Sequence, residues 1–250
     1  MRQATLQRRA THALVVCAMF ALATCLGLVA GCAEASRIVA DTATGRVLVL
    51  GDSVMEWNAD GDAAIADVIA TALGRAVVNA GVSGARLSMP ATNVRRGALG
   101  YDIRAQYRPR GWEWVVMDGG ANDVGGECAC SRCERTLDEM VSDDGQAGQY
   151  PDFVRDVVRD GSRVLVMGYY FPPTGERTSF TRCVDELETL NARLERMAAA
   201  LDSVFYAAAT DVIDPANLAH FDEDLVHPSE EGSRLIGLHL AQAIRTVEEQ

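Results

Sequence analysis

Ser53 directly follows an apolar run, in the segment Gly51-Asp52-Ser53-Val54. A serine hydroxyl is a weak nucleophile at its ordinary pKa, so it needs a neighbouring base and a carboxylate that orients this base. His227 and Asp224 can supply both, because they stand three residues apart in one short polar segment. Asp222 is a second candidate for the orienting carboxylate. This set predicts nucleophilic attack on a carbonyl, with His227 as general base.

An acyl-transfer site also needs hydrogen-bond donors for the negative oxygen that forms on the attacked carbonyl. The candidates are the backbone N–H groups of Ser53 and Gly84 and the side-chain amide of Asn122. Gly84 ends the segment Gly81-Val82-Ser83-Gly84, in which glycine permits a tight loop close to a ligand, and Gly81 competes with it for this role. We therefore expect an oxyanion hole in which separate loops meet at Ser53.

Five short apolar runs predict the strands that position these residues. They are Arg46–Leu50, Ala76–Asn79, Trp114–Met117, Arg163–Met167 and Val204–Ala207. Segments with helical periodicity lie between these runs. The first opens at Asp60 and closes at Gly74, and the others are Tyr150–Arg159, Leu187–Leu201 and the segment that begins at Pro228. This alternation predicts an α/β fold with a parallel sheet covered on both faces. Ligands of such sheets bind beyond the carboxyl ends of the strands, where all the polar candidates lie.

Length and charge limit the class of protein. The chain has 250 residues, of which 48% are hydrophobic, and is long enough to form one domain with a well-buried core. We place this domain at residues 45–250. The net charge of −12 argues against nucleic-acid binding, because an acidic surface repels phosphate backbones. We interpret the arginines between Arg86 and Arg110 as a solvated face rather than an anion site.

The first 31 residues have the pattern of a secretory signal. Arg2, Arg8 and Arg9 precede an apolar stretch that ends in small residues before Cys32. This end resembles a bacterial lipobox, so residues 1–31 are predicted as a lipoprotein signal peptide, Cys32 as the lipidation site and residues 32–44 as a tether. The expected location is the bacterial cell envelope, with membrane contact only through the N-terminal lipid. Cleavage after Ala35, which gives a periplasmic or secreted form, and an uncleaved anchor are the alternatives.

Four cysteines remain in the predicted mature domain: Cys128, Cys130, Cys133 and Cys183. Four thiols could bind zinc, but an even number in an exported protein favours disulfides. A bond between Cys128 and Cys130 would close a very small ring, so Cys133 should join one of these two and Cys183 the other. The second bond would hold one wall of the site.

Four segments together resemble the signature blocks of the SGNH (GDSL-like) hydrolases, in the family's order. They are Gly51–Val54, the Gly84 loop, Gly120–Asp123 and Asp224–Pro228. The resemblance spans about residues 45–247 and implies a flavodoxin-like three-layer α/β/α fold without metal or other cofactor. It favours Asp224 over Asp222 and Gly84 over Gly81. Two departures are Val54 in place of leucine and the cysteine insertion after Asn122.

The function expected from these observations is an exported serine hydrolase of carboxylic esters. Members of the family that the chain resembles act on small-molecule, lipid or glycan acyl esters. An acyltransferase or a carbohydrate O-deacetylase with the same triad is the nearest alternative. A non-catalytic cell-envelope binding protein and a cysteine-rich metal or redox protein are alternatives of other classes. His220 and His239 are expected to have no catalytic role.

Overall fold

The computed structural model describes residues 46–87 and 101–250 of the chain. The predicted signal peptide, tether and lipidation site at Cys32 lie outside these residues, as do Arg95 and Arg96. Within the described ranges, no helix is both long and apolar enough to cross a membrane.

The centre of the domain is a parallel sheet of five strands. They are β1 (Arg46–Leu50), β2 (Ala76–Asn79), β3 (Trp114–Met117), β4 (Arg163–Gly168) and β5 (Val204–Ala208). Their spatial order is β2-β1-β3-β4-β5, and all neighbouring pairs are parallel. This is the flavodoxin-like strand order, so the predicted fold class is confirmed. The order reverses between β1 and β3, where sheets of this kind bind their ligands.

Helices cover both faces of the sheet. They are α1 (Ser53–Glu56), α2 (Ile65–Leu73), α3 (Ile103–Gln106), α4 (Ala121–Glu127), α5 (Glu134–Met140), α6 (Gln149–Arg159), α7 (Val184–Ala200) and α8 (Glu230–Glu248), with short 3₁₀ turns at Ala59–Gly61, Thr181–Cys183, Ala209–Asp211 and Leu218–His220. Right-handed crossovers place α2 on one face and α6 and α7 on the other. The last helix, α8, packs against α2, while α6 and α7 pack against β4.

The strands that carry the site are buried on both faces. Val47 to Leu50 are at most 2% exposed, and Trp114 to Met117 are all 0% exposed. Their uninterrupted apolar sequence follows from this position, because alternate side chains point into opposite helix layers and neither face meets water. The polar residues after each strand therefore begin where burial between the layers ends.

The segment between β1 and α2 differs from the sequence expectation. The helical pattern that opens at Asp60 forms a helix only from Ile65. Before it, Asn58 and Asp62 adopt left-handed backbone angles, with φ of 64° and 54°, around the 3₁₀ turn. Asp67 then accepts a hydrogen bond from the backbone N–H of Ala64 at 3.0 Å, which fixes the start of the helix. The irregular segment expected after Ser53 begins with the one-turn helix α1.

Candidate active site

The turn after β1 holds Ser53 at the start of α1. Gly51 has φ of 148°, and a Cβ atom there would lie 1.9 Å from Asp118 Oδ1, so only glycine fits. The Gln106 side chain accepts from Gly51 N and donates to Gly51 O, both at 2.8 Å. Asp52 caps α1 by accepting a hydrogen bond from Val54 N at 3.0 Å. These contacts fix the direction in which the Ser53 side chain leaves the sheet.

Ser53, His227 and Asp224 are joined by hydrogen bonds. Ser53 Oγ lies 2.8 Å from His227 Nε2, and His227 Nδ1 lies 2.5 Å from Asp224 Oδ2. The serine and the histidine are 174 positions apart in sequence, so the fold brings them together. In this arrangement the imidazole can accept the serine proton on one nitrogen while the carboxylate holds the other.

Asp224 is held in its ionised form by its own loop. Partial burial opposes the charge, but the backbone N–H groups of His227 and Val226 and the His227 ring together lower the pKa of Asp224 below its ordinary value. The two N–H groups donate to Asp224 Oδ1 at 3.0 and 2.9 Å. An ionised carboxylate at this position favours the Nδ1–H tautomer of His227 and leaves Nε2 free to accept.

The loop that carries these two residues is closed on itself. Phe221 and Pro228 form an isolated antiparallel bridge, and Asp222 N donates to His227 O at 2.9 Å. Leu225 takes a left-handed conformation with φ of 57°, which lets the chain reverse inside the loop. His227 is therefore positioned by local pairing as well as by its bonds to the two triad candidates.

The candidate oxyanion donors approach the same region from two further loops. Asn122 Nδ2 donates to Ala85 O at 3.1 Å, which ties the start of α4 to the loop after β2. Because an amide carries two hydrogens, one remains for a ligand. The backbone N–H groups of Ser53 and Gly84 have no hydrogen-bond acceptor among the described residues. The oxyanion role of these three donors stays a prediction.

The two candidate glycines differ in their surroundings. Gly84 has φ of 77°, and a Cβ atom there would meet nothing within 4 Å. Gly81 is packed tightly, since a Cβ atom would lie 3.0 Å from Met55 Cβ and 3.2 Å from Glu56 N. Gly84 is thus the open position of the loop, although it is not among the described residues that line the cavity around Ser53.

Trp57 is a site residue that the sequence did not reveal. Its indole stacks on the His227 ring, with 3.8 Å between the ring centroids and 8° between the planes. Trp57 Nε1 donates to Asp222 Oδ2 at 2.5 Å, and Trp57 N donates to Ser53 O at 2.9 Å. Asp222 therefore holds the indole instead of the imidazole. The only sequence signal for this contact was an aromatic residue four positions after Ser53.

A buried carboxylate pair lies behind Ser53, the candidate nucleophile. Asp52 and Asp118 are 1% and 0% exposed, and Asp52 N donates to Asp118 Oδ1 at 2.9 Å. Tyr169 OH donates to Asp52 Oδ2 at 2.6 Å, whereas Asp118 Oδ2 has no partner among the described residues. Burial, and then the charge of Asp52, raise the pKa of Asp118 well above its usual range. Burial raises the pKa of Asp52 as well, so each carboxyl group of this pair favours its protonated form more than an exposed aspartate does.

Ser53, Asn122 and His227 open into one cavity of about 530 Å³. One side is formed by residues 169–183, here called the wall loop, which connects β4 to α7. The wall-loop residues that line the cavity are Tyr169, Tyr170, Pro172, Arg177, Thr178, Ser179 and Phe180. His220 and His239 do not line it; they contact Asp214 and Asp211, respectively.

The cysteines form two disulfides. Cys128 pairs with Cys133, and Cys130 pairs with Cys183, with Cα atoms 5.2 and 4.7 Å apart. This is one of the two arrangements that the sequence left open. All four thiols are used, so the alternative of a four-cysteine zinc site is wrong for this structure, and no other metal-binding cluster occurs in the described ranges. The second bridge fastens the end of the wall loop to the insertion after α4.

Two arginines of the predicted solvated face are paired with carboxylates. Arg86 lies 2.6 Å from Glu127, and Arg104 lies 2.9 Å from Asp102. That the cluster as a whole forms no anion site stays a prediction.

Residues 49–235 match the GDSL-like Lipase/Acylhydrolase family. No curated protein matches the sequence.

Three solved structures illustrate the structural similarity. A Slackia heliotrinireducens protein assigned to the SGNH hydrolases is 21% identical with a TM-score of 0.55, over 80% of this chain and 99% of that one. A Bacteroides fragilis protein assigned as an acylhydrolase is 19% identical with a TM-score of 0.57, over 83% and 89%. The psychrotrophic esterase EstA from Pseudoalteromonas sp. is 16% identical with a TM-score of 0.54, over 83% and 100%. At these identities the likeness concerns the fold.

Proposed function

The chain belongs to the GDSL-like lipase/acylhydrolase family, and on this premise we propose that it is an exported serine hydrolase of acyl esters that uses Ser53, His227 and Asp224. The observation that carries the proposal is the continuous contact from Ser53 Oγ to His227 Nε2 at 2.8 Å and from His227 Nδ1 to Asp224 at 2.5 Å. No other described histidine lines the cavity that holds Ser53.

In the proposed reaction, Ser53 Oγ attacks the ester carbonyl carbon while His227 Nε2 takes the hydroxyl proton. The carbonyl oxygen becomes an oxyanion that accepts hydrogen bonds from Ser53 N, Gly84 N and the Asn122 amide. The tetrahedral intermediate then expels the alcohol, which receives its proton from His227, and an acyl-serine remains. Water then attacks the acyl carbonyl while His227 takes its proton. The second tetrahedral intermediate expels Ser53 Oγ, which receives the proton from His227, and the acid is released.

Asp224 supports this cycle through charge. The forming imidazolium lies against a carboxylate whose pKa is lowered, so the carboxylate stays ionised and stabilises the positive ring. Trp57 covers one face of the same ring, and the face of an indole attracts a cation. Both contacts are stronger with the charged imidazolium than with neutral imidazole, so both favour the transition state over the resting state.

Two disulfides support the exported part of the proposal, because such bonds persist in oxidising compartments. Attachment through lipidated Cys32 is proposed from the sequence. Two measurements test it: the native protein should sediment with membranes, and Cys32→Ser should prevent lipid attachment, as seen by mass spectrometry of the N-terminal peptide. An unmodified native N-terminus at Ser36 would replace the lipid anchor with a soluble secreted form.

Ester hydrolysis by matched variants tests the catalytic part. Ser53→Ala and His227→Ala should each lower kcat by several orders of magnitude, on the order of 10⁴-fold or more, since each removes a reacting group. Asn122→Ala should cost on the order of 100-fold through the loss of one oxyanion donor. His220→Ala is the control and should leave kcat unchanged. Acyl esters of increasing chain length serve as substrates; a folded Ser53→Ala protein with wild-type turnover would refute the assignment.

A further inference from the structure

The cavity around Ser53 contains one positively charged side chain that no carboxylate neutralises. Arg177 lines the cavity and is its only lysine or arginine among the described residues. It forms no hydrogen bond or ion pair with any residue in the ranges 46–87 and 101–250. The other charged lining residues are engaged already, Asp52 with Tyr169 and Asp224 with His227.

Arg177 has no carboxylate partner although the chain is acidic; what distinguishes it from Arg182, which also has none, is its place in the lining of the cavity. With 35 acidic and 23 basic residues, carboxylates are in excess, and Arg75, Arg86 and Arg193 each pair with one at 2.6 Å. Arg177 instead faces a cavity whose remaining surface includes carbon-rich side chains such as Phe180 and Leu187. A guanidinium in such a place can offer up to five N–H donors to a ligand.

Hydrogen bonds hold the backbone on both sides of Arg177. Thr178 N donates to Thr181 Oγ1 at 2.7 Å, and Phe180 N donates to Thr178 Oγ1 at 3.1 Å, which closes a turn next to the arginine. Thr174 N donates to Pro215 O at 2.7 Å at the other end of the turn. Less backbone freedom is therefore lost when a ligand binds, so more of the contact energy contributes to affinity.

We propose that Arg177 is a specificity residue that binds an anionic group, such as a carboxylate or a phosphate, on the ester substrate. The inference rests on the proposed function, since it places the scissile ester at Ser53 and the anion at the wall loop. The alternative ligand for this end of the cavity is a fully neutral acyl chain, which offers the exposed guanidinium no acceptor in place of the water that it would displace.

Two pairs of esters test the proposal and show on which side of the ester the anion lies. Nitrophenyl hemisuccinate and nitrophenyl butyrate differ by a carboxylate on the acyl side. Acetoxybenzoate and acetoxybenzamide differ by a carboxylate on the alcohol side. The enzymes are wild type, Arg177→Gln, Arg177→Lys and the control Arg182→Gln. Arg182 is exposed, belongs to the same wall loop, has no partner among the described residues and does not line the cavity.

In at least one pair, Arg177→Gln should lower kcat/KM for the anionic ester by about 10- to 100-fold, the range of charge-assisted hydrogen bonds. The neutral ester should change by less than about twofold, because it makes no charged contact. Arg177→Lys should restore part of the loss, and Arg182→Gln should have no effect. Added salt should reduce the preference of the wild type. An equal effect of Arg177→Gln on anionic and neutral esters in both pairs would overturn the proposal.

Binding to Ser53→Ala protein separates this inference from the proposed function. Calorimetry with the same four esters compares Ser53→Ala with the double variant Ser53→Ala/Arg177→Gln, in the absence of turnover. If the wild type cleaves none of the esters, the proposed function fails. The specificity role is still supported if an anionic ester binds more tightly to Ser53→Ala than to the double variant that lacks Arg177. Binding that is independent of Arg177 for all four esters would overturn it.

Discussion

The candidate reacting groups, Ser53, His227 and Asp224, and the wall loop that faces them are held by different kinds of contact. Ser53 sits on a turn built over the buried pair Asp52 and Asp118, which are 1% and 0% exposed. The wall loop has exposed residues at Arg177 and Ser179 and is fastened by the Cys130–Cys183 bridge. The Ser53 side of the cavity thus depends on packing and hydrogen bonds inside the fold. The wall loop shares such contacts at its buried start, Tyr169 and Tyr170, and its other end is held by a covalent cross-link.

Because the two sides are held differently, mutations should be able to change the rate of the chemical step and the preference between substrates separately. The turn at Ser53 tolerates little change, because Gly51 and Asp118 are in contact there and no larger residue fits. The exposed residues 174–177 of the wall loop can vary in sequence with less effect on the strands, since they lie outside the buried core. Changes on the Ser53 side should therefore affect kcat for all esters, and changes in the wall loop should affect some esters more than others.

Removal of the second disulfide should give the largest change in stability. Cys130 and Cys183 are 53 residues apart, whereas Cys128 and Cys133 are 5 apart. Loop-closure entropy assigns about 4 kcal/mol to the long loop and about 2 kcal/mol to the short one. The double variant Cys130→Ser/Cys183→Ser should thus lose more unfolding free energy than its control Cys128→Ser/Cys133→Ser, as measured by urea denaturation.

The activity of the same two double variants also tests whether the Cys130–Cys183 bridge holds the wall loop against the cavity. Loss of the Cys130–Cys183 bridge should change the ratio of kcat/KM between long and short acyl esters, because it frees one cavity wall. Loss of the other bridge should leave this ratio near the wild-type value. Equal effects of both variants on stability and on the ratio would show that the wall loop does not depend on its cross-link.

Substitution of Trp57 should have an intermediate effect, confined to the reaction step. A cation–π contact is worth about 0.5–2 kcal/mol, so Trp57→Leu should lower kcat by roughly 2- to 30-fold. Trp57→Phe keeps a ring over His227 but loses the hydrogen bond to Asp222, and it should lie between the wild type and Trp57→Leu. Steady-state kinetics with a neutral ester measures both constants. A rise in KM with unchanged kcat would place Trp57 in substrate binding instead.

The buried pair predicts a smaller effect, which appears as a dependence of stability on pH. The folded-state pKa of Asp118 is raised above its ordinary value of 3.8. The protonated Asp118 carboxyl therefore contributes its full stabilisation at pH values below the ordinary pKa of 3.8. This stabilisation is lost as pH rises through the raised folded-state pKa. Asp118→Asn removes this titration, so the stability of the variant relative to wild type should improve as pH rises.

Thermal unfolding of both proteins from about pH 4 to about pH 8 measures this difference. Asp202→Asn, at an exposed carboxylate between α7 and β5 that has no partner among the described residues, is the control for a general change in charge. A difference between Asp118→Asn and wild type that stays constant over the whole range would show that Asp118 does not titrate there.

The sequence predicted the elements whose signals are local. The strands were predicted to within one residue, because a strand between two helix layers must be apolar along its whole length. Ser53, His227 and Asp224 could be chosen because each follows a strand end or a neighbouring turn. The cysteine pairs were narrowed to two arrangements by ring size alone.

What the sequence did not reveal depends on contacts between distant side chains. Trp57 and Asp222 are 165 positions apart, and nothing in either segment indicates that they meet. The raised pKa of Asp118 follows from complete burial beside a second carboxylate, which a one-dimensional pattern does not encode. The α5 helix inside the cysteine insertion also went unpredicted, because a segment of seven residues shows little periodicity.

The Cys130–Cys183 bridge also has a consequence for biosynthesis. Cys128, Cys130 and Cys133 are synthesised well before Cys183, which follows Cys130 by 53 residues. In that interval Cys133 can oxidise with either neighbour, and a bond to Cys130 must later be undone by thiolate attack. Such exchange takes seconds to hours, far longer than helix or hairpin formation. The yield of native protein should therefore depend on the disulfide isomerase activity that the nascent chain meets, and a host without it should accumulate a mispaired isomer.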